Sequence, residues 1–452
     1  MNSIPGMAIA PPFGRGSHWP ATTRLPGNLF ATAALIMLAA CSAPASESGG
    51  DTTDARHIYR LGLTVRPDPA AHGAMVELRL QQSSRLLREV RMRDPGSAIR
   101  DVAGDGIVSI GDGWITWQPS ADGGTLRWFA EINSKRNDNA FDAYIDNDWA
   151  VFRAEDIIPR AATRTLKGAR SETTLSFQLP PGWSAVTQYF GRDHRFAIDN
   201  PERRFDLPSG WIVLGDLGVR NEIIAGIRVK VAGPVGHAVR RMDMLALLQW
   251  TLPELSRALP NFPERLTIVT AGDPMWRGGL SAPQSLFIHA ARPLLSENGT
   301  STLLHEVAHV GLGLGAGNGG DWIIEGLAEY YSLQALLRSG TISEKRLGSA
   351  LDMQARWGAS VGSLCGEISS GKTTARAVTI LARLDAEIIA TSDHRRNLDD
   401  VIGALISAGQ KLNLQALRDA VRSVTGKHPV TLDDDELPGC ETTDAAQRPN
   451  RA

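Results

Sequence analysis

The residues most able to do chemistry lie between 300 and 332, in TSTLLHEVAHVGLGLGAGNGGDWIIEGLAEYYS. His305 and His309 are four positions apart, so on a helix both imidazoles leave the same face and can share one divalent cation. Glu306 stands beside the first histidine, where its carboxylate can take a proton from a cation-activated water and pass it on. Leu303, Leu304, Val307, Ala308 and Val310 make the rest of this helix apolar, as a buried helix requires. Six glycines between 311 and 320 must end it. They are not a phosphate cradle, because the run does not lead through Gly-Lys-Ser/Thr into the next helix, and no nucleotide is expected. Trp322 to Tyr331 then begins a second helix. The 15 residues between His309 and Glu325 leave room for a reversal and one helical turn. Glu325, facing the two histidines, would complete a site for one Zn2+ ion with a fourth position open to water.

The elements that must position these groups divide the chain in two. From 57 to 235 the sequence is strand-like. Ile107–Ile110, Trp114–Trp117 and Ile212–Leu214 are short β-rich runs broken by Gly, Pro, Asp and Asn, and an antiparallel β-sandwich is expected. Trp114, Trp117, Trp128, Trp149, Trp183 and Trp211 fall in this region, either as sandwich core or as a carbohydrate-binding surface. Near 236 the character changes. Met244, Leu245, Leu247, Leu248, Trp250 and Leu252 have helical spacing, Leu266–Thr270 and Ser285–His289 read as two strands of a small sheet, and helices dominate from 300. The expected fold is therefore multidomain α+β: the sandwich at 57–235, a mostly helical catalytic domain with a small sheet at 236–435, and a flexible tail at 436–452.

Composition narrows the possible partners. Of 452 residues, 47 are basic and 49 acidic, and a net charge of −2 excludes a nucleic-acid protein built on bulk positive charge. At 42% hydrophobic and 21% charged the chain is an ordinary packed protein. Three cysteines are too few for a disulfide scaffold or a zinc ribbon, so a metal site must be built from His, Asp and Glu.

Residues 29–40, LFATAALIMLAA, are too short to span a bilayer and fit the apolar core of a signal peptide covering 1–40. Leu38-Ala39-Ala40-Cys41 resembles a bacterial lipobox, in which Cys41 is lipidated; the alternative is an ordinary signal peptide with a chance cysteine. Residues 42–56 are small and polar, as a tether spanning 41–56 would be. Ser42 after the cysteine, by likeness to proteobacterial lipoproteins, implies a bacterial envelope protein at the outer membrane facing the periplasm, touching the membrane through this lipid only. Cys365 and Cys440 then remain, either as one disulfide or as two free buried thiols.

His305-Glu306-x-x-His309 followed by Trp322-x-x-Glu325-Gly326-x-Ala328-x-Tyr330 resembles the gluzincin metallopeptidases, and within them the glycyl-aminopeptidase-like and aminopeptidase N-like families. The resemblance implies a thermolysin-like catalytic domain, zinc held by His305, His309 and Glu325, Glu306 as catalytic base, and a peptide or protein substrate. By the same likeness Glu329 orients a zinc histidine; otherwise it is a solvated helix residue. Gly278, Gly279, Leu280 and Ser281 resemble an edge strand that binds substrate backbone, where the family has a Glu that holds the substrate amine and this chain has Ser281. No tyrosine follows Tyr331, whereas the family uses a downstream tyrosine on the oxyanion. Arg376, His394 or a backbone donor is expected to substitute, although His394 also fits a surface loop. His289, Tyr330 and Tyr331 read as packing residues. These departures keep open a second expectation, a catalytically inactive metal-binding lipoprotein that acts in binding or assembly.

Overall fold

The computed structural model describes residues 57–93, 96–201, 203–366 and 368–440. The expected signal peptide, Cys41 and the tether fall outside the described residues.

Alternation builds the first half. Ile58–Asp68 buries every second residue, with Leu61, Leu63 and Val65 pointing inward. It turns at Asp68, whose side chain accepts from the Ala71 N–H at 3.1 Å, and pairs antiparallel with Gly73–Gln81. These two strands lie near the middle of a seven-stranded sheet. A four-stranded and a five-stranded sheet complete the N-terminal region. Their shared core contains Trp117 and Trp128, whose indole N–H groups donate to Asp105 O at 2.7 Å and Ile157 O at 2.9 Å. Trp149 and Trp211 are buried as well, so four of the six tryptophans are core. The sandwich is not purely antiparallel: Ile58–Asp68 runs parallel to Arg170–Phe177. The two segments are brought together by a long return of the chain, which local alternation does not encode.

The second sheet begins earlier than 236. Its strands are β1 (Leu217–Ile224), β2 (Ile227–Pro234), β3 (Arg265–Ala271), β4 (Gly279–Ala282) and β5 (Ser285–His289), in spatial order β1-β2-β3-β5-β4. A boundary at 235 therefore cuts a sheet in two. The hairpin β1–β2 alternates like its predecessors, and only the parallel pairing of β2 with β3 assigns it to the later half. Val269, Ala271 and Phe287 on one face of this sheet meet Trp149, Val151, Trp211 and Val213 of the N-terminal five-stranded sheet. The other face is covered by α1 (Arg241–Ala258) and by the helices that follow.

Those helices are α2 (Thr302–Leu312), α3 (Asp321–Arg338), α4 (Glu344–Gly358), α5 (Gly371–Thr391), α6 (Leu398–Ala408) and α7 (Leu414–Thr425). Serine and asparagine caps set the starts of all but α3: Ser301, Ser343, Ser370, Asn397 and Asn413 each accept from a first-turn N–H. The expected tail at 436–452 is anchored at its beginning. Leu437 and Cys440 are buried, and a disulfide joins Cys440 to Cys365 with their Cα atoms 5.0 Å apart. Among the described residues no helix is long and apolar enough to cross a membrane.

Candidate metal centre

Helix α2 starts at Ser301, whose hydroxyl accepts from the Leu304 N–H at 3.3 Å. It stops at Gly313, which takes φ 58° and donates its N–H to His309 O, a left-handed closure that glycine adopts without strain. The glycine-rich stretch then docks on the α6–α7 connection: Gly317 N donates to Leu412 O at 2.7 Å and Leu412 N to Gly315 O at 2.9 Å. This return lays α3 beside α2. Buried Leu303, Leu304 and Val307 pack into the same core as Trp322, Ile323 and Leu327.

Packing of the two helices brings the sequence-derived ligands together. His305 Nε2 lies 3.3 Å from Glu325 Oε2, His309 Nε2 lies 3.4 Å from Glu325 Oε1, and the two Nε2 atoms are 3.1 Å apart. Zinc bonds of about 2.0–2.1 Å in tetrahedral geometry place neighbouring ligand atoms about 3.3–3.4 Å apart. These three donors therefore have the spacing of one face of such a tetrahedron, and the donor set fits zinc. Among the described residues this is the one cluster of His, Cys, Asp and Glu of that kind.

The surrounding groups hold the imidazoles in place. His305 Nδ1–H donates to Glu329 Oε2 at 3.0 Å, which turns Nε2 toward Glu325 and His309. Gln354 Nε2 of α4 donates to Glu329 Oε1 at 3.4 Å. Glu329 is thus a buried partner of His305 and not a solvated residue. Burial pushes the His305 imidazole down, but Glu325 and Glu329 outweigh it and the net shift is well upward. Burial likewise works against the ionised Glu325, and its two histidine partners reverse this and hold it low. Glu306 is buried, and burial raises its pKa against the pull of both imidazoles and the Ser281 N–H.

Glu306 sits directly under β4. A Cβ added to Gly279 would lie 2.6 Å from Glu306 Cγ, so the strand can approach this carboxylate only with glycine there. β4 pairs with β5 on one side and is the edge of its sheet. The N-terminal region supports it: Trp211 Nε1 donates to Leu280 O at 2.9 Å, and Trp276 N to Phe141 O at 2.8 Å. Gly278, Gly279, Leu280 and Ser281 all line one cleft with His305, Glu306, His309 and Glu325, a space of about 840 Å³.

The cleft also contains residues that no sequence motif marked. Arg136, Trp276, Arg292 and Thr374 come from separate segments, and Gln354 and Trp357 from successive turns of α4. Arg376 and His394, expected near the oxyanion, do not line it; His394 is exposed in the turn after α5. Tyr330 donates to Asp385 Oδ2 at 2.7 Å, and both it and Tyr331 are buried in the helical core. His289 is buried in β5.

No protein-family model matches the sequence, and no curated protein matches it. Solved structures do match. An aminopeptidase N family protein from Idiomarina loihiensis superposes with a TM-score of 0.64 at 19% identity, over 84% of this chain and 76% of that one. An M1 zinc metallopeptidase from Deinococcus radiodurans gives 0.56 at 16% identity, over 88% and 96%. A variant of an M1 zinc metallopeptidase from the same organism, bound to a Tyr-Ser-Ala substrate, gives 0.56 over 83% and 92%. The chain thus has the gluzincin, aminopeptidase-like fold, a β-rich region followed by a helical domain, as in the M1 zinc metallopeptidases.

Proposed function

We propose that this protein is a zinc-dependent peptidase. The observation that carries the proposal is the convergence of His305, His309 and Glu325 beside the buried Glu306, beneath a free sheet edge and within one cleft. The edge of β4 offers its outward N–H and C=O groups to an extended peptide, as an added strand. Zinc held by the three ligands supplies Lewis-acid polarisation of a carbonyl and acidification of a water. Glu306 takes the proton of the attacking water as the new C–O bond forms. It then delivers that proton to the nitrogen as the C–N bond breaks. Glu329 keeps the His305 ring oriented, and Trp211 fixes β4 over Glu306.

Glu306→Gln tests this: hydrolysis of a broad peptide panel falls by about 10²–10⁴-fold while zinc stays at one ion per chain. Full hydrolysis by this variant refutes the mechanism. We further place the protein in the bacterial envelope, held by a lipid on Cys41. Leu38-Ala39-Ala40-Cys41 and the polar stretch after it support that placement, and Cys41→Ser releases the protein from membranes if it is right.

One observation favours the second reading, a metal-binding protein without turnover: no tyrosine lines the cleft. Unit zinc stoichiometry with no hydrolysis of any peptide, chelator controls included, decides for it.

A further inference from the structure

The charges of the cleft are unevenly committed. Four carboxylates line it, Glu306, Glu325, Glu329 and Asp321. The first three belong to the metal centre, and Asp321 Oδ2 accepts from the Ser369 N–H at 2.7 Å. Asp321 is therefore the one cleft carboxylate outside the metal centre, with no cation paired to it among the described residues. Three arginines line the same space. Arg136 pairs with Asp142 at 2.6 Å and lies over Trp276, and Arg277 pairs with Asp273 at 2.6 Å. Arg292 differs from both. Its Nε and Nη2 donate to the hydroxyl of Thr302 at 3.2 and 2.8 Å, and among the described residues no carboxylate pairs with it. A second guanidinium, from Arg240, is drawn close by donating to Arg292 O at 2.9 Å.

Thr302 fixes where this cation sits. It precedes His305 and Glu306 by three and four positions, on the same face of α2 and about 4.5–6 Å nearer the helix start. An extended peptide advances about 3.3–3.6 Å per residue. A carboxylate held by Arg292 therefore falls about two residues from the bond that Glu306 serves. The positive end of the α2 dipole adds to the attraction.

We propose that Arg292 makes the cleft selective for peptides bearing a carboxylate about two residues from the cleaved bond. The carboxylate is either a C-terminus or an acidic side chain. This rests on the peptidase reading for turnover, but not for binding.

The test uses the full zinc-loaded chain and three N-acetylated tetrapeptides: a free acid, its amide, and an amide with Asp near the end. The free acid, the Asp peptide or both exceed the plain amide by at least about tenfold in kcat/KM, as a charge-assisted guanidinium–carboxylate contact implies. Arg292→Gln removes this preference through KM with kcat unchanged, and Arg292→Lys restores part of it. Which of the two acids is preferred identifies the source of the carboxylate. Equal rates for all three, or a preference that survives Arg292→Gln, overturns the proposal. If no peptide is cut, the same peptides are bound to Glu306→Gln and followed through the fluorescence of Trp276 and Trp357. Acid binding that Arg292→Gln abolishes then supports the role of Arg292 and counts against turnover alone. Equal binding, or none, overturns it.

Discussion

Replacing Glu329 tests how far the ligand set depends on its support. The Glu329 side chain is 10% exposed, and its Oε2 accepts the Nδ1–H of His305 at 3.0 Å. Glu329→Ala leaves that N–H without its partner and the ring free to rotate or change tautomer. Losing such an outer partner costs about 10–100-fold in metal affinity, or about 1.4–2.7 kcal/mol. Glu329→Gln keeps an oxygen that can accept but loses the charge, so its loss falls at the lower end. Gln354→Ala should do less than either, because that side chain touches only Oε1 at 3.4 Å. Zinc affinity is measured by competition with a chromophoric chelator, alongside circular dichroism to show that each variant is folded. Affinities within twofold of the parent for both Glu329 variants would refute the claim that this carboxylate holds the metal site in order.

Three further outcomes follow from the packing. Gly326→Ala places a Cβ 2.6 Å from that of Ala377, where α3 crosses α5; overpacking there lowers unfolding stability by about 1–3 kcal/mol in urea titration, and an unchanged midpoint contradicts the close approach. Cys440→Ser opens a bond that closes a sequence separation of 75 residues, so stability drops by about 2–4 kcal/mol and the segment at 436–440 becomes protease-sensitive, whereas resistant, equally stable protein argues against the anchoring. Burial holds the His289 imidazole below its ordinary value near 6.5, with Asp273 raising it and Arg277 and Arg292 lowering it. The unfolded chain then binds the proton more readily than the native one, so stability present at neutral pH is lost as pH falls below about 6.5 toward the lower native value, and His289→Gln should flatten that slope in denaturant midpoints taken across the range.

Local rules were legible in the sequence. The 3.6-residue period put His305 and His309 on one face, the glycines between 311 and 320 marked the end of their helix, and the apolar runs at Leu266–Thr270 and Ser285–His289 became β3 and β5. The gluzincin resemblance rested on such short-range patterns, which is why it survived the absence of any sequence-level match. The boundary drawn at 235 failed for the opposite reason. β1 and β2 alternate like the strands before them, and their membership in the second sheet depends on a partner more than thirty residues on.

The sequence by itself determined which residues could ligate a metal, because ligand type and helical spacing are properties of a single segment. Only the tertiary structure decided that Glu325 reaches both imidazoles, that Glu329 meets His305, and that Cys365 bonds Cys440. It alone put Arg136, Arg292 and Trp357 in the same cleft as Glu306. The physical reason is that these meetings are made by burial of apolar helix and sheet faces, a collective effect of the whole core. No repeat or spacing within one segment records which distant side chains that burial brings to a common surface.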